Sequence, residues 1–164
     1  MEELQQELRY TFKDPSLLET ALTHSSYANE VKGSVKCNER LEFLGDAVLS
    51  IVVSDFIFKN CPKLPEGELT KLRASLVCEK ALAGYARTIR LGDYLKLSRG
   101  ERHSGGAQRP SILADAFEAV IAAIYLDGGM ENVRRHILRF VEPDIKSPKP
   151  RKFKDYKTCL QEIV

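Results

Sequence analysis

The 164-residue chain is expected to be all-α, and three observations carry that expectation. Apolar residues recur at helical spacing through most of its length. No stretch alternates at period two for more than a few residues. Prolines and glycines stand where helices would start and stop. A chain of this size makes one ordinary domain with a core, plus a tail.

Taken in order, a first helix covers Glu2 to Arg9. Asp14-Pro15 supplies an N-cap and a first-turn proline for a second helix, which runs to about Thr23. A long helix from about Cys37 to Lys59 follows and is broken by Pro62 and Pro65. Further helices span Glu66–Val77, Glu79–Arg90, Ser111–Leu126 and Glu131–Val141, with Gly128-Gly129 as a stop between the last two. Lys96 to Arg109, rich in Gly, Ser and basic residues, reads as an exposed loop. Residues 143–154 read as a basic, proline-containing linker.

Hydrophobic residues at 43% and charged residues at 29% are the proportions of a soluble globular protein. No apolar run reaches the roughly 18 residues of a membrane span, and the Met-Glu-Glu start lacks the pattern of a secretory leader, so a cytoplasmic location is expected. The four cysteines (Cys37, Cys61, Cys78, Cys159) make no CxxC pair, which favours free thiols. The net charge of +2 is unevenly spread: residues 1–144 carry −2 and residues 145–164 carry +4. The body is therefore no bulk magnet for nucleic acid.

Two helices place acids unusually. On the long helix, Leu41, Leu44, Val48, Ile51 and Val52 share one face, read as core. Glu39, Glu42 and Asp46 fall within about 60° of one another on the opposite side. Taken alone, that pattern also suits a solvated face whose first-turn acids answer the helix dipole. The second helix narrows the choice. From Ile112 to Leu126 only Asp115 and Glu118 are charged, and apolar residues surround them, so the helix is largely buried. Its own i±3 and i±4 positions offer no cation, and buried carboxylates without partners are costly. A hard metal ion is one solution. Gly45 on the long helix, with Ala114, Ala116 and Ala119 on the other, would let the two cross closely with Glu42 and Asp46 facing Asp115 and Glu118. Phe43 points toward the acidic side, either as an ordinary exposed aromatic or as an anchor for a partner subunit.

The run Asn38-Glu39-Arg40-Leu41-Glu42-Phe43-Leu44-Gly45-Asp46 resembles the signature of the ribonuclease III family, and Ser111 to Ala119 (SILADAFEA) resembles its second acidic motif. Ala21 to Tyr27 (ALTHSSY), Glu66 to Thr70 (EGELT) and Ser104-Gly105-Gly106 are also similar to that family. The resemblance implies an all-helical endonuclease domain over residues 1–142 that pairs into a symmetric homodimer and cuts double-stranded RNA in ribosomal and messenger RNA processing. It implies Mg²⁺, with Mn²⁺ as a substitute, held by Glu42, Asp46, Asp115 and Glu118. Asp46 and Glu118 would also act in catalysis, with Glu39 and Glu66 as further acids of the cleavage valley. It implies products with 5′-phosphate and 3′-hydroxyl ends and short 3′ overhangs. It places Phe43 near the dimer interface and the Ser104–Gly106 region near RNA. His24, His103 and His136 match no catalytic position of the family and read as structural or surface residues. Residues 155–164 resemble the opening of a double-stranded-RNA-binding domain, truncated here after that opening.

Two other readings stay open at this stage: a non-cleaving RNA-binding module of the same fold, and a helical metal-dependent lyase acting on diphosphates. Degenerate binding modules would be expected to lose at least one of the four acids. Lyase bundles tend to use Asp-rich clusters, and the Lys96–Arg109 segment has no evident role there.

Overall fold

The computed structural model describes residues 1–146, all of them in helices and the turns between. Among the described residues eight helices run in order: α1 (Glu2–Leu8), α2 (Pro15–Ala21), α3 (Ser25–Glu30), α4 (Glu39–Asn60), α5 (Glu66–Val77), α6 (Glu79–Thr88), α7 (Arg99–His103) and α8 (Pro110–Lys146). Short 3₁₀ turns lie at Leu91–Tyr94 and Gly106–Gln108. The one β-type pairing among the described residues is a parallel bridge between Thr23 and Lys96.

The helix starts follow the expected chemistry. Asp14 accepts from the Ser16 amide ahead of Pro15, and Ser98 accepts from the Glu101 amide to start α7. α8 is two helices joined at Gly129, whose φ of 81° lies in the left-handed region that glycine enters freely. The Gly128-Gly129 stop therefore ends one helical run and lets a second begin, as expected. That second run continues through Pro143 to Lys146, into the segment read as linker. Residues 147–164, with the rest of that linker and the motif at 155–164, lie outside the described residues.

The core forms where α4 packs along the first half of α8, with α6 on its other side. Ile112 to Ile124 is buried at every position except Asp115, as a helix apolar around its whole circumference should be. Beyond the bend the core continues as an aromatic slab. Phe117 meets Phe140 edge-on at 5.2 Å between ring centroids, and Tyr85 and His136 pack beside them.

Several expectations need correction. The buried face of α4 is Gly45, Val48, Leu49, Val52, Val53, Phe56 and Ile57. Ile51, assigned to the core, is 57% exposed and forms an outward stripe with Phe43 and Phe58. α4 carries two apolar stripes, and periodicity alone does not say which one packs inward. The acids accordingly border the buried face rather than oppose it. α3 was not foreseen, being six residues long with none buried. Lys96–Arg109 is not a plain loop: it folds into α7 and a 3₁₀ turn, closed by an ion pair between Arg109 and Glu101 with Leu97 and Gly106 buried beneath. Cys37 and Cys78 are free thiols. No described helix is long and apolar enough to cross a membrane.

Candidate metal centre

α4 begins at a junction tied by backbone pairing. The Asn38 amide donates to the Thr23 carbonyl (2.8 Å), and its side-chain amide donates to the Ala21 carbonyl (3.1 Å). The Asn38 carbonyl in turn accepts from the Glu42 amide at 2.8 Å. On the other side of the strand-like segment, His24 donates to the Lys96 carbonyl and Lys96 to the Leu22 carbonyl. The first turn of α4 is thereby held in a fixed place beside α8.

Gly45 sets the distance between the two helices. A Cβ at this position would lie 1.8 Å from the Glu118 carbonyl oxygen and 2.6 Å from its carbon. Only glycine permits that approach. Ala114, Ala116 and Ala119 are all buried around the same crossing. The close contact expected from small residues on both helices is present.

The crossing gathers carboxylates. Glu42, Asp115 and Glu118 each offer an oxygen within 4.8 Å of the others. Glu118 is buried, Glu42 and Asp115 partly so. Burial raises the Glu118 carboxyl to about 9, helped by a hydrogen bond with Asp46 and the charges of Asp46, Glu42 and Asp115. Glu42 is raised first by burial, then by the charge of Asp115, a hydrogen bond with it, and the charges of Glu39 and Asp46. Asp115 is raised too, by burial and then by Glu79. The hydrogen bond from Glu42 and the charge of His24 pull it back. The acids thus face each other across the two helices, Glu42 with Asp115 and Glu118 with Asp46.

These residues fit a hard divalent cation. The ligand atoms are all carboxylate oxygens. Two oxygens bound at roughly 2.0–2.6 Å to one ion lie no more than about 5 Å apart, which matches the cluster. The charges weighing most on Glu42 and Glu118 are negative, and among the described residues no lysine or arginine forms an ion pair with the group.

The remaining candidates fall at different distances from this point. Glu39 is exposed one turn before Glu42 and lies within its field. Asp46 is exposed at the rim. Glu66 is exposed at the first turn of α5, and no described interaction joins it to the cluster. Phe43 is 81% exposed. Two residues were missed. Glu79 opens α6, and His24 caps α3 by accepting from the Ser26 amide; both lie in the field of Asp115. Glu79 carries no sequence signal, and His24, though within the Ala21–Tyr27 segment, has none for this role, because tertiary packing alone brings α6 and the α3 cap to this crossing.

The ribonuclease-III-like family model matches residues 14–145. Ribonuclease 3 from Caldanaerobacter subterraneus subsp. tengcongensis is 54% identical over 162 residues, 98% of this chain and 71% of that one. Ribonuclease 3 from Listeria monocytogenes serotype 4a is 48% identical over 164 residues, covering 99% and 72%. Among solved structures, the nuclease domain of ribonuclease III from Campylobacter jejuni, which has a region involved in dimer formation, superposes with a TM-score of 0.81 at 48% identity. That superposition covers 87% of this chain and 96% of the other. With Gly45 fitted to the backbone of Glu118 and three carboxylates gathered at that contact, the chain belongs to the ribonuclease III family of endoribonucleases.

Proposed function

We propose that the chain is a Mg²⁺-dependent endonuclease of double-stranded RNA, acting as a homodimer in the cytoplasmic processing of ribosomal and messenger RNA. Products carry 5′-phosphate and 3′-hydroxyl ends with short 3′ overhangs, and Mn²⁺ can substitute. The observation that carries this reading is the trio of carboxylates from two helices, within 4.8 Å of one another and in no ion pair with a lysine or arginine among the described residues. Glu42, Asp46, Asp115 and Glu118 hold the metal, with Asp46 and Glu118 also catalytic and Glu39 and Glu66 as outlying acids of the valley.

When bound, Mg²⁺ supplies a Lewis acid that acidifies water and offsets the charge developing on the phosphate. Before it binds, burial and the neighbouring acids favour the protonated form of Glu118, whose carboxyl is raised to about 9. A cation there would displace that proton, so occupancy rises with pH. The acids reach their places on two packed helices rather than on loops, which limits their movement relative to one another. Duplex RNA is read by A-form shape and 2′-hydroxyl contacts. With a charge of −2 on residues 1–144, binding by this body weakens sharply as salt rises.

The homodimer is supported by the outward stripe of α4. Phe43, Ile51 and Phe58 lie within about 80° of one another on the helix wheel and are 81%, 57% and 73% exposed. Phe43→Ala is expected to weaken association by roughly 2 kcal/mol. Sedimentation at micromolar protein reads it, and an unchanged dimer removes Phe43 from the interface.

The decisive experiment is cleavage of an end-labelled RNA duplex with and without Mg²⁺, by wild type and by Glu118→Gln. Wild type cuts both strands only with metal, and the variant homodimer cuts neither. A mixed dimer nicks a single strand if each subunit supplies one complete site. Activity of the Glu118→Gln homodimer would sink the metal assignment, and clean double-strand cuts by mixed dimers would sink one site per strand.

A further inference from the structure

Beyond the bend of α8, far along the chain from the acid crossing, lies a cleft of about 410 Å³ between the end of α1 and the second half of α8. Its wall carries three arginines, Arg9, Arg135 and Arg139, against one carboxylate, Glu142. None of the three guanidinium groups meets a carboxylate in an ion pair among the described residues. Arg139 lays its face on the Phe140 ring at 4.6 Å, which leaves its edge and N–H groups free for a planar or tetrahedral acceptor. Burial and the like charge of Arg9 both weigh against its own charge, with Glu7 as the opposing influence. Arg9 itself ends α1 in the left-handed conformation, φ 54°, a position glycine or asparagine would take with less strain. Three like charges that outnumber the acids beside them are an arrangement an anion completes.

His136 supplies the second observation. It lines the same cleft and is 5% exposed, stacked on Phe117, and both of its ring nitrogens lack a hydrogen-bond partner. The Leu8 backbone acts on the ring, but no well-formed hydrogen bond reaches either nitrogen. A neutral imidazole buried this deeply has one N–H to donate and one lone pair to satisfy. Native structures seldom leave both unmet, so the cleft has a polar occupant to accommodate.

We propose that this cleft binds a phosphate group, with Arg9, Arg135 and Arg139 on its oxygens and the His136 N–H donating from the floor. The volume exceeds that of phosphate alone and admits a phosphate ester up to mononucleotide size. None of its lining residues belongs to the acid cluster, so the site stands or falls independently of the metal reading.

The test uses the full chain without divalent metal, following the ring ¹⁵N resonances of His136. Three arms are compared with chloride at matched ionic strength: inorganic phosphate, adenosine 5′-monophosphate, and a short RNA duplex. Saturable shifts at His136 are expected, weakened by about tenfold or more in Arg135→Gln and in Arg139→Gln. Glu118→Gln should titrate as wild type does. A response to phosphate or the monophosphate identifies a small-ligand site, and a response to the duplex alone identifies an RNA backbone phosphate. Arg135 is exposed, so its replacement leaves the core intact and keeps the test decisive even if Arg139→Gln misfolds. No shift in any arm, or equal titration by wild type and Arg135→Gln, overturns the proposal.

Discussion

The two halves of α8, on either side of Gly129, bury opposite kinds of ionisable group. Before the bend, Glu118 is lifted to about 9 by burial and by its acidic neighbours. After it, His136 is driven down to about 3 by burial and by Arg139. One cause, the cost of charge in a place without water, leaves both side chains neutral at neutral pH. The difference lies in what surrounds them. Glu118 sits with Glu42 and Asp115, whose oxygens converge on its own, and in the field of Asp46, an arrangement completed by a cation. His136 sits among aromatic rings and arginines, an arrangement that excludes a cation.

The sharpest way to break the first half is at the crossing. Gly45→Ala places a methyl group 1.8 Å from the Glu118 carbonyl oxygen, and the obstacle is backbone rather than a flexible side chain. The helices must move apart. We expect a loss of about 3 kcal/mol in urea denaturation, and cleavage slowed at least about 100-fold in the protein that remains folded. Near-wild-type cleavage would mean that the acids tolerate a wider crossing than the contact implies.

A second test uses the opposed pKa shifts. Below about pH 4.5 Glu118 is protonated folded or unfolded. From there to about pH 9 only the folded chain keeps the proton, so stability falls as pH rises across that window. Glu118→Gln removes the slope. In chelator, the variant should exceed wild type by about 2 kcal/mol at pH 8 and match it near pH 4. Identical slopes in the two proteins would show that Glu118 is not the group taking up the proton.

The smallest effect belongs to the second half and has the opposite sign. The His136 pKa is depressed from 6.5, so the unfolded chain gains its proton first and stability is lost as pH falls from about 6.5 toward 3. His136→Phe keeps a ring against Phe117 and abolishes that loss. At pH 5 it should be more stable than wild type by roughly 1 kcal/mol, with little change at pH 8. A variant that loses stability equally at both pH values would instead point to a hydrogen bond made by the histidine.

Most of this was legible before any coordinates. The apolar circumference of residues 112–124 announced a buried helix, and Asp115 and Glu118 on it announced buried charge, because period and composition are properties of one helix. Gly45 was legible for a similar reason: a glycine within a helix is costly, and the small residues around the second acid pair suggested where it makes contact. What packing decided was of another kind. α4 has apolar residues on two sides, and only its neighbours determine that Leu49, Val53 and Ile57 go inward while Phe43, Ile51 and Phe58 stay out. α3 and α7 are too short to announce themselves, and they hold through contacts distant in sequence, such as Glu30 accepting from the Arg99 amide. Glu79, His24 and the Arg9–His136 cleft are invisible along the chain, since each joins segments far apart in sequence. The sequence determined the helices, the acids and the residue that lets them meet. Tertiary structure alone decided which faces touch, because burial depends on a neighbour that local periodicity does not contain.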